Sequence, residues 1–135
     1  MKKNQVVRKL GSLVLTFANE SAPTEPEWDE FLSVITTHRP ELPKLKFLVV
    51  TKGGSPNAAQ RKRLEVALGR TRFPVAVVSD AITVRFVAST IALFHRDHRS
   101  FSMDQMSLAY DHLQMSPAER TMAEKVISDM RLLVG

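Results

Sequence analysis

Apolar residues follow two rhythms along this chain. Val6-Val7 and Leu13-Val14-Leu15-Thr16-Phe17 are β-rich runs separated by Gly11-Ser12, and they predict a hairpin or one bent strand. Thr24-Glu25-Pro26-Glu27 spells a capping box, in which the Thr hydroxyl serves an orphan N–H and the Glu reaches back to the cap. Trp28, Phe31, Leu32 and Ile35 then recur at helical spacing. That helix should end near Arg39, because Pro40 disfavours helix in the residue before it, and Pro40 to Pro43 reads as a rigid connector.

Leu45 to Thr51 is almost continuously apolar, as expected of a parallel strand covered on both faces. Gly53-Gly54 follow, with Ser55 predicted as N-cap and Pro56 at the first helical position. The helix should bury Ala59, Leu64, Ala67 and Leu68, show Arg61, Lys62 and Arg63 to solvent, and stop at Gly69. Phe73 to Val78 predicts a third buried strand, and Ser79 or Asp80 a cap for a helix from Ala81 to about Phe94. In that helix Thr83, Val87, Ile91 and Phe94 form one stripe, and Ile82, Phe86, Ala88 and Leu93 most of a second. A helix apolar nearly all round is buried on two sides or used at an interface.

His95 to Arg99 reads as a charged loop and Ser100 to Met103 as a short edge strand. Met103 to Gln114 follows as a helix with Met106, Ala109, Tyr110 and Leu113 on one face. Ser116-Pro117-Ala118-Glu119 is a second capping box, opening a last helix that presents Met122, Val126, Met130 and Leu133. Strand–helix alternation predicts an α/β fold, with a mixed or parallel central sheet of four to five strands and packed helices. With no long linker, low-complexity segment or repeat, residues 1–135 read as a single domain.

Composition narrows the classes. Apolar content of 44% and charged content of 24% are ordinary for a globular protein. No apolar run approaches the roughly 20 residues of a membrane span. Early lysines imitate a signal peptide, but Arg8, Lys9 and Gly11 break the apolar segment, so a cytoplasmic location is expected. Absence of cysteine removes disulfides and thiol chemistry. A net charge of +5 gives modest steering toward anions, and one Trp and one Tyr make base-stacking platforms scarce.

Candidate chemistry is sparse. Gly53-Gly54-Ser55-Pro56 sits where a helix N-terminus could hold an anion, yet it has no P-loop lysine and no dinucleotide fingerprint. Its plainer reading is a tight turn, and Ser55 is also a position where phosphorylation would change the surface charge. His95 and His98 have an H-x-x-H spacing without a clear third ligand, and His95-Arg96-Asp97 lacks every other kinase element. Ser79, Asp80 and Arg85 lie at the strand end where open parallel sheets bind ligands, but no nucleophile–base pair or carboxylate pair can be assembled. Arg61, Lys62, Arg63, Arg70 and Arg72 form the densest basic cluster, as a patch for anionic partners or as one helix's solvated side.

The runs GGSPNAAQRKRLEVAL, VAVVSDAITVRFVASTIALF and SFSMDQMSLAYDHLQMSPAE, with the strand order, resemble bacterial STAS-like domains. These are relatives of anti-sigma-factor antagonists and sulfate-transporter tails, and the resemblance runs from Gly11 to the C-terminus. It implies a small sheet with helices in a non-enzymatic protein-binding switch. Ser55 matches the position of the serine that is phosphorylated in the antagonist branch, although Gly-Gly-Ser-Pro stands where that branch carries an Asp-Ser-Ser/Thr-Gly signature.

The expectation is therefore a non-catalytic protein-interaction module in bacterial signalling or cell organisation, without cofactor or metal, and able to self-associate. Candidate contact or phospho-switch residues are Lys52, Gly53, Gly54, Ser55, Arg61, Lys62 and Arg63. The candidate apolar interface is Ile82, Phe86 and Leu93. An alternative is a domain binding a small anion, nucleotide or lipid at Gly53, Gly54, Ser55, Ser79 and Asp80. A third reading is nucleic-acid or membrane-surface binding through the basic helix.

Overall fold

The computed structural model of the protein describes residues 2–84 and 97–135. Strands β1 (Gln5–Leu10) and β2 (Leu13–Ala18) form the predicted hairpin, turning at Gly11 with φ 60°, a backbone region where glycine meets no Cβ penalty. Helix α1 (Glu25–Thr37) follows, then a 3-10 helix (Arg39–Lys44) containing the predicted connector. Strand β3 (Lys46–Thr51), helix α2 (Ala58–Leu68) and strand β4 (Val75–Val78) come next. Beyond them lie β5 (His98–Phe101), a short 3-10 turn (Met103–Gln105), α3 (Met106–His112) and α4 (Pro117–Leu133).

The five strands form one mixed sheet in the order β1-β2-β3-β4-β5. Only β1–β2 is antiparallel; β2–β3, β3–β4 and β4–β5 are parallel. Strand periodicity sorts side chains onto two faces. Leu13, Leu15, Phe17, Leu48, Val50 and Val78 face α3 and α4, where Tyr110, Ala123, Ile127 and Met130 complete a core. Val7, Val14 and Phe47 take the opposite face, with Trp28, Phe31, Leu32 and Ile35 of α1. Every residue of β2 is buried, as its near-continuous apolar run requires.

Both predicted capping boxes close. The Glu27 carboxylate does double duty, accepting from its own cap at Thr24 N (2.9 Å) and from Asn4 N (3.0 Å), so that α1 is pinned to the start of β1. Lys46 Nζ meets Glu119 Oε1 at 2.9 Å and ties β3 to the first turn of α4. At the far end of α4, Lys3 N donates to Leu133 O (3.0 Å) and Gly135 N to Lys3 O (2.9 Å).

Several local expectations are corrected. The N-cap of α2 is Asn57, not Ser55: the Asn57 side chain accepts from Gln60 N, and Gln60 Oε1 accepts from Asn57 N, a capping box two residues further on. Ala59 is exposed, and α2 fully buries Gln60 and Ala67 while Leu64 and Leu68 are half-buried. The edge strand begins at His98, so that two residues of the expected charged loop pair with β4. The inward face of α4 is Ala123, Ile127 and Met130, which leaves Met122 and Leu133 largely exposed. Residues 82–84 have helical backbone; the remainder of the helix expected to Phe94, with Phe86, Leu93, Arg85 and His95, lies outside the described residues.

Candidate functional site

The loop after β3 is built by its glycines. Gly53 has φ 141°, and its N–H donates to Thr51 Oγ1 (3.1 Å). Gly54 N donates to Asn19 O at 2.7 Å, and Thr51 Oγ1 donates to Gly54 O at 2.7 Å. A Cβ on Gly54 would stand 2.1 Å from Ser21 O and 2.5 Å from Asn19 O, so only glycine fits against that backbone. The N–H groups of both glycines are thus spent inside the protein, which leaves them unavailable as an anion cradle.

Gln60 is the hub that fastens α2. It is 1% exposed; its Nε2 donates to Pro23 O (2.9 Å) and to Glu25 Oε1 (3.2 Å), and its backbone carbonyl accepts from the Trp28 indole N–H at 3.0 Å. Arg63 adds an outer clasp to α1, at 2.6 Å from Asp29 Oδ1 and 3.0 Å from Glu25 Oε2. The hydrogen bond to Asp29, then attraction by Asp29 and Glu25, raises the Arg63 pKa above its ordinary value. The basic cluster is therefore less free than its sequence suggests. Arg63 is matched by two carboxylates, and Arg61 Nη1 donates to Pro56 O at 2.9 Å. Lys62 and Arg70 project into solvent.

Helix α2 leans on α1 more than on the sheet. A cleft of about 560 Å³ opens on this side of the sheet. Its sheet floor includes Thr16, Val49, Val75 and Val77, and Gln5 and Ala18 join from the hairpin. Trp28, Phe31 and Ile35 of α1 and Leu64 and Leu68 of α2 form walls, with Phe73 behind them. Gly54, Ser55 and Pro56 border it near the carboxyl end of β3, and Asp97 and His98 near the start of β5. Four charged residues are among the described lining, Arg61, Glu65, Arg72 and Asp97, and all four are solvent-exposed. Among the described lining residues the interior is mostly apolar and the rim carries two charges of each sign.

Two polar groups interrupt this interior. Gln5 is 7% exposed and Thr16 is 4% exposed. Gln5 Nε2 and Thr16 Oγ1 are both buried with no hydrogen-bond partner among the described residues. Buried polar atoms are nearly always paired, so these two are exceptions, and both are closed off from solvent.

Of the residues singled out from sequence, Gly54, Ser55, Arg61, Arg72 and His98 border this cleft. Lys52 lies instead in a smaller one of about 210 Å³ with Asp80, Met103 and Arg131. Gly53, Lys62 and Arg63 line neither. Ile82 is 83% exposed, and its expected companions Phe86 and Leu93 lie outside the described residues. Ser79 is fully buried and accepts from Ala81 N (3.1 Å), while Asp80 Oδ1 accepts from Met103 N (2.9 Å), so both serve the turn after β4. Gln5 and Thr16 were not singled out by sequence reasoning. The available signal was Gln5 at the head of QVVRKL and Thr16 inside LVLTFA, polar residues next to apolar strand positions.

Among the described residues no cluster of three or more His, Asp or Glu side chains could hold a metal ion, and no helix is long and apolar enough to cross a membrane. Comparison with protein-family models, with curated proteins and with solved structures finds no match to this chain.

Proposed function

We propose that this protein is a non-catalytic binding module whose ligand is an elongated, largely apolar small molecule held between the sheet and α2. The observation that carries this reading is the apolar cleft of about 560 Å³. Protein interiors pack to crystal-like density, so a space of this size beside the core is not ordinary packing. Its volume falls within the range of about 300–1,000 Å³ typical of small-molecule sites, and its lining of aromatic and branched side chains with few polar groups is typical of them too. The test is a titration with N-phenylnaphthylamine, a neutral fluorophore whose emission rises in apolar surroundings. Saturable enhancement that Leu64→Trp suppresses, by filling the cleft, supports the reading. Emission that stays at the buffer level with the wild-type protein rejects it.

A second reading keeps the STAS-like expectation of a protein-interaction module in bacterial signalling or cell organisation. It is supported by one antiparallel pair followed by strands added in parallel, and by Ile82 at 83% exposure after β4. Light scattering tests its self-associating form. A dimer that Ile82→Asp dissociates favours it, and a strict monomer at high concentration removes it.

A further inference from the structure

We infer that the smaller cleft, at the carboxyl edge of the sheet on its α4 side, binds a free amino acid, whose carboxylate meets Lys52 and Arg131 and whose ammonium meets Asp80. This site is separate from the α2 cleft and does not depend on it.

The cleft holds about 210 Å³ and is bordered by Phe17 and Val50, which belong to the core under α3 and α4. Its other lining residues include Lys52 directly after β3, Asp80 just past β4 and Met103 just past β5, three neighbouring parallel strands. In open parallel sheets the crevice beyond the carboxyl ends of the strands is where ligands sit. Arg131 joins from the last turn of α4.

The charged groups of this cleft are reachable, since Lys52, Asp80 and Arg131 are all exposed. Among the described residues none of the three has an ion-pair partner, although they share one small space. Two of them are nonetheless held in place. The Arg131 guanidinium carbon lies 5.1 Å from the centroid of the Phe17 ring. A guanidinium stacked on a ring keeps its planar fork of donors for a carboxylate. Asp80 accepts from Met103 N through Oδ1 (2.9 Å), which leaves its other oxygen for a cation.

Charge chooses the ligand class. Two cations favour an oxyanion, while Asp80 beside them opposes a plain anion and favours one that carries its own ammonium. An amino acid places both charges within a few atoms of each other. The cleft is smaller than the about 300–1,000 Å³ usual for drug-sized ligands, which suits so small a molecule. Half-buried Met103 offers an apolar contact to the ligand's side chain.

The experiment is a two-dimensional amide NMR titration of the protein with leucine, with isocaproate, which lacks the ammonium, and with isoamylamine, which lacks the carboxylate. Leucine should give saturable shifts at Val50, Lys52, Asp80 and Met103. Each analogue should bind about tenfold or more weakly, the scale of a lost hydrogen bond between charged groups. Arg131→Gln should weaken leucine by about tenfold on the same scale. Asp80→Asn, which can still accept from Met103 N, should erase the advantage of leucine over isocaproate. Both substitutions fall on exposed side chains, so the fold is retained. Leucine leaving these amides unshifted, isocaproate binding as tightly as leucine, or the advantage surviving in Asp80→Asn overturns the inference.

Discussion

The indole N–H of Trp28 donates to the backbone carbonyl of Gln60 across 3.0 Å of buried space. This bond joins the first turn of α1 to the first turn of α2, and around it the Gln60 side chain holds Pro23 O and the cap at Asn57. It fixes α2 to its neighbour helix at one end, and the cleft lies below the rest of α2.

Trp28→Phe keeps the aromatic packing, including the stacked contact with Phe31, and removes the donor. It should cost about 1 kcal/mol, the net worth of one buried hydrogen bond, because the Gln60 carbonyl keeps its place in the α2 ladder while the link between the helices is lost. Gln60→Leu loses three side-chain hydrogen bonds and should cost more, about 2–3 kcal/mol, by urea unfolding. Equal, near-zero effects would mean that the latch does not hold the helices together.

Gly54→Ala should destabilise by about 1–3 kcal/mol, the range for overpacking, since the added Cβ would collide with the backbone of Asn19 and Ser21. Neither oxygen belongs to a flexible side-chain end, so relief requires the β2–α1 loop to shift. Gly11→Ala is the contrast: its Cβ would meet nothing within 4 Å, and the cost there is the positive φ alone. Thermal melts of the two variants separate these mechanisms, and Gly54→Ala should melt lower.

The acid limb of stability should report Glu119. The backbone N–H of Ser116, then hydrogen bonding to Lys46, holds its carboxyl below the ordinary value of 4.5. A carboxylate with a depressed folded-state pKa contributes stability that is fully present above its unfolded value, and that is lost as pH falls through the lower folded value. The loss therefore belongs below about pH 4.5. Glu119→Gln should be less stable than wild type at neutral pH and should converge with it in acid. Parallel stability–pH curves for the two proteins would contradict this.

Much of the scaffold was legible because its signals are local. The capping boxes at Thr24 and Ser116 need only four residues each, and the apolar runs of β2 and β3 can hardly be read otherwise. Where two local signals competed, sequence reasoning chose wrongly: Ser55-Pro56 resembles a helix start, yet Asn57-Ala58-Ala59-Gln60 closes a better box. On the last helix the expectation of Met130 and Val126 facing inward holds, but Met122 and Leu133 do not: Met122 and Ala123 are both apolar, and only assembly against the sheet selects the smaller.

The cleft was not legible, for a different reason. Leu64 and Leu68 at i, i+4 look like any core-facing pair, and nothing in their spacing says how far the sheet lies beneath them. Thr16 in LVLTFA reads as a good β-branched strand residue. Its missing partner becomes visible only when β1, β3 and the helices are assembled around it.

The same orphaned hydroxyl gives a stability prediction. Thr16→Val should leave the unliganded protein as stable as wild type or more so, by about 1 kcal/mol, because it removes a buried polar atom that gains no hydrogen bond. A clear loss of stability in a thermal melt would show that the Thr16 hydroxyl is satisfied after all.

The most direct measurement is a two-dimensional amide NMR spectrum of the full chain titrated with N-phenylnaphthylamine. Saturable shifts concentrated at Thr16, Val49, Thr51, Leu64 and Leu68, on the α2 side of the sheet, are the predicted result. An unchanged spectrum, or shifts gathered on α3 and α4 across the sheet, would contradict a ligand site in the cleft.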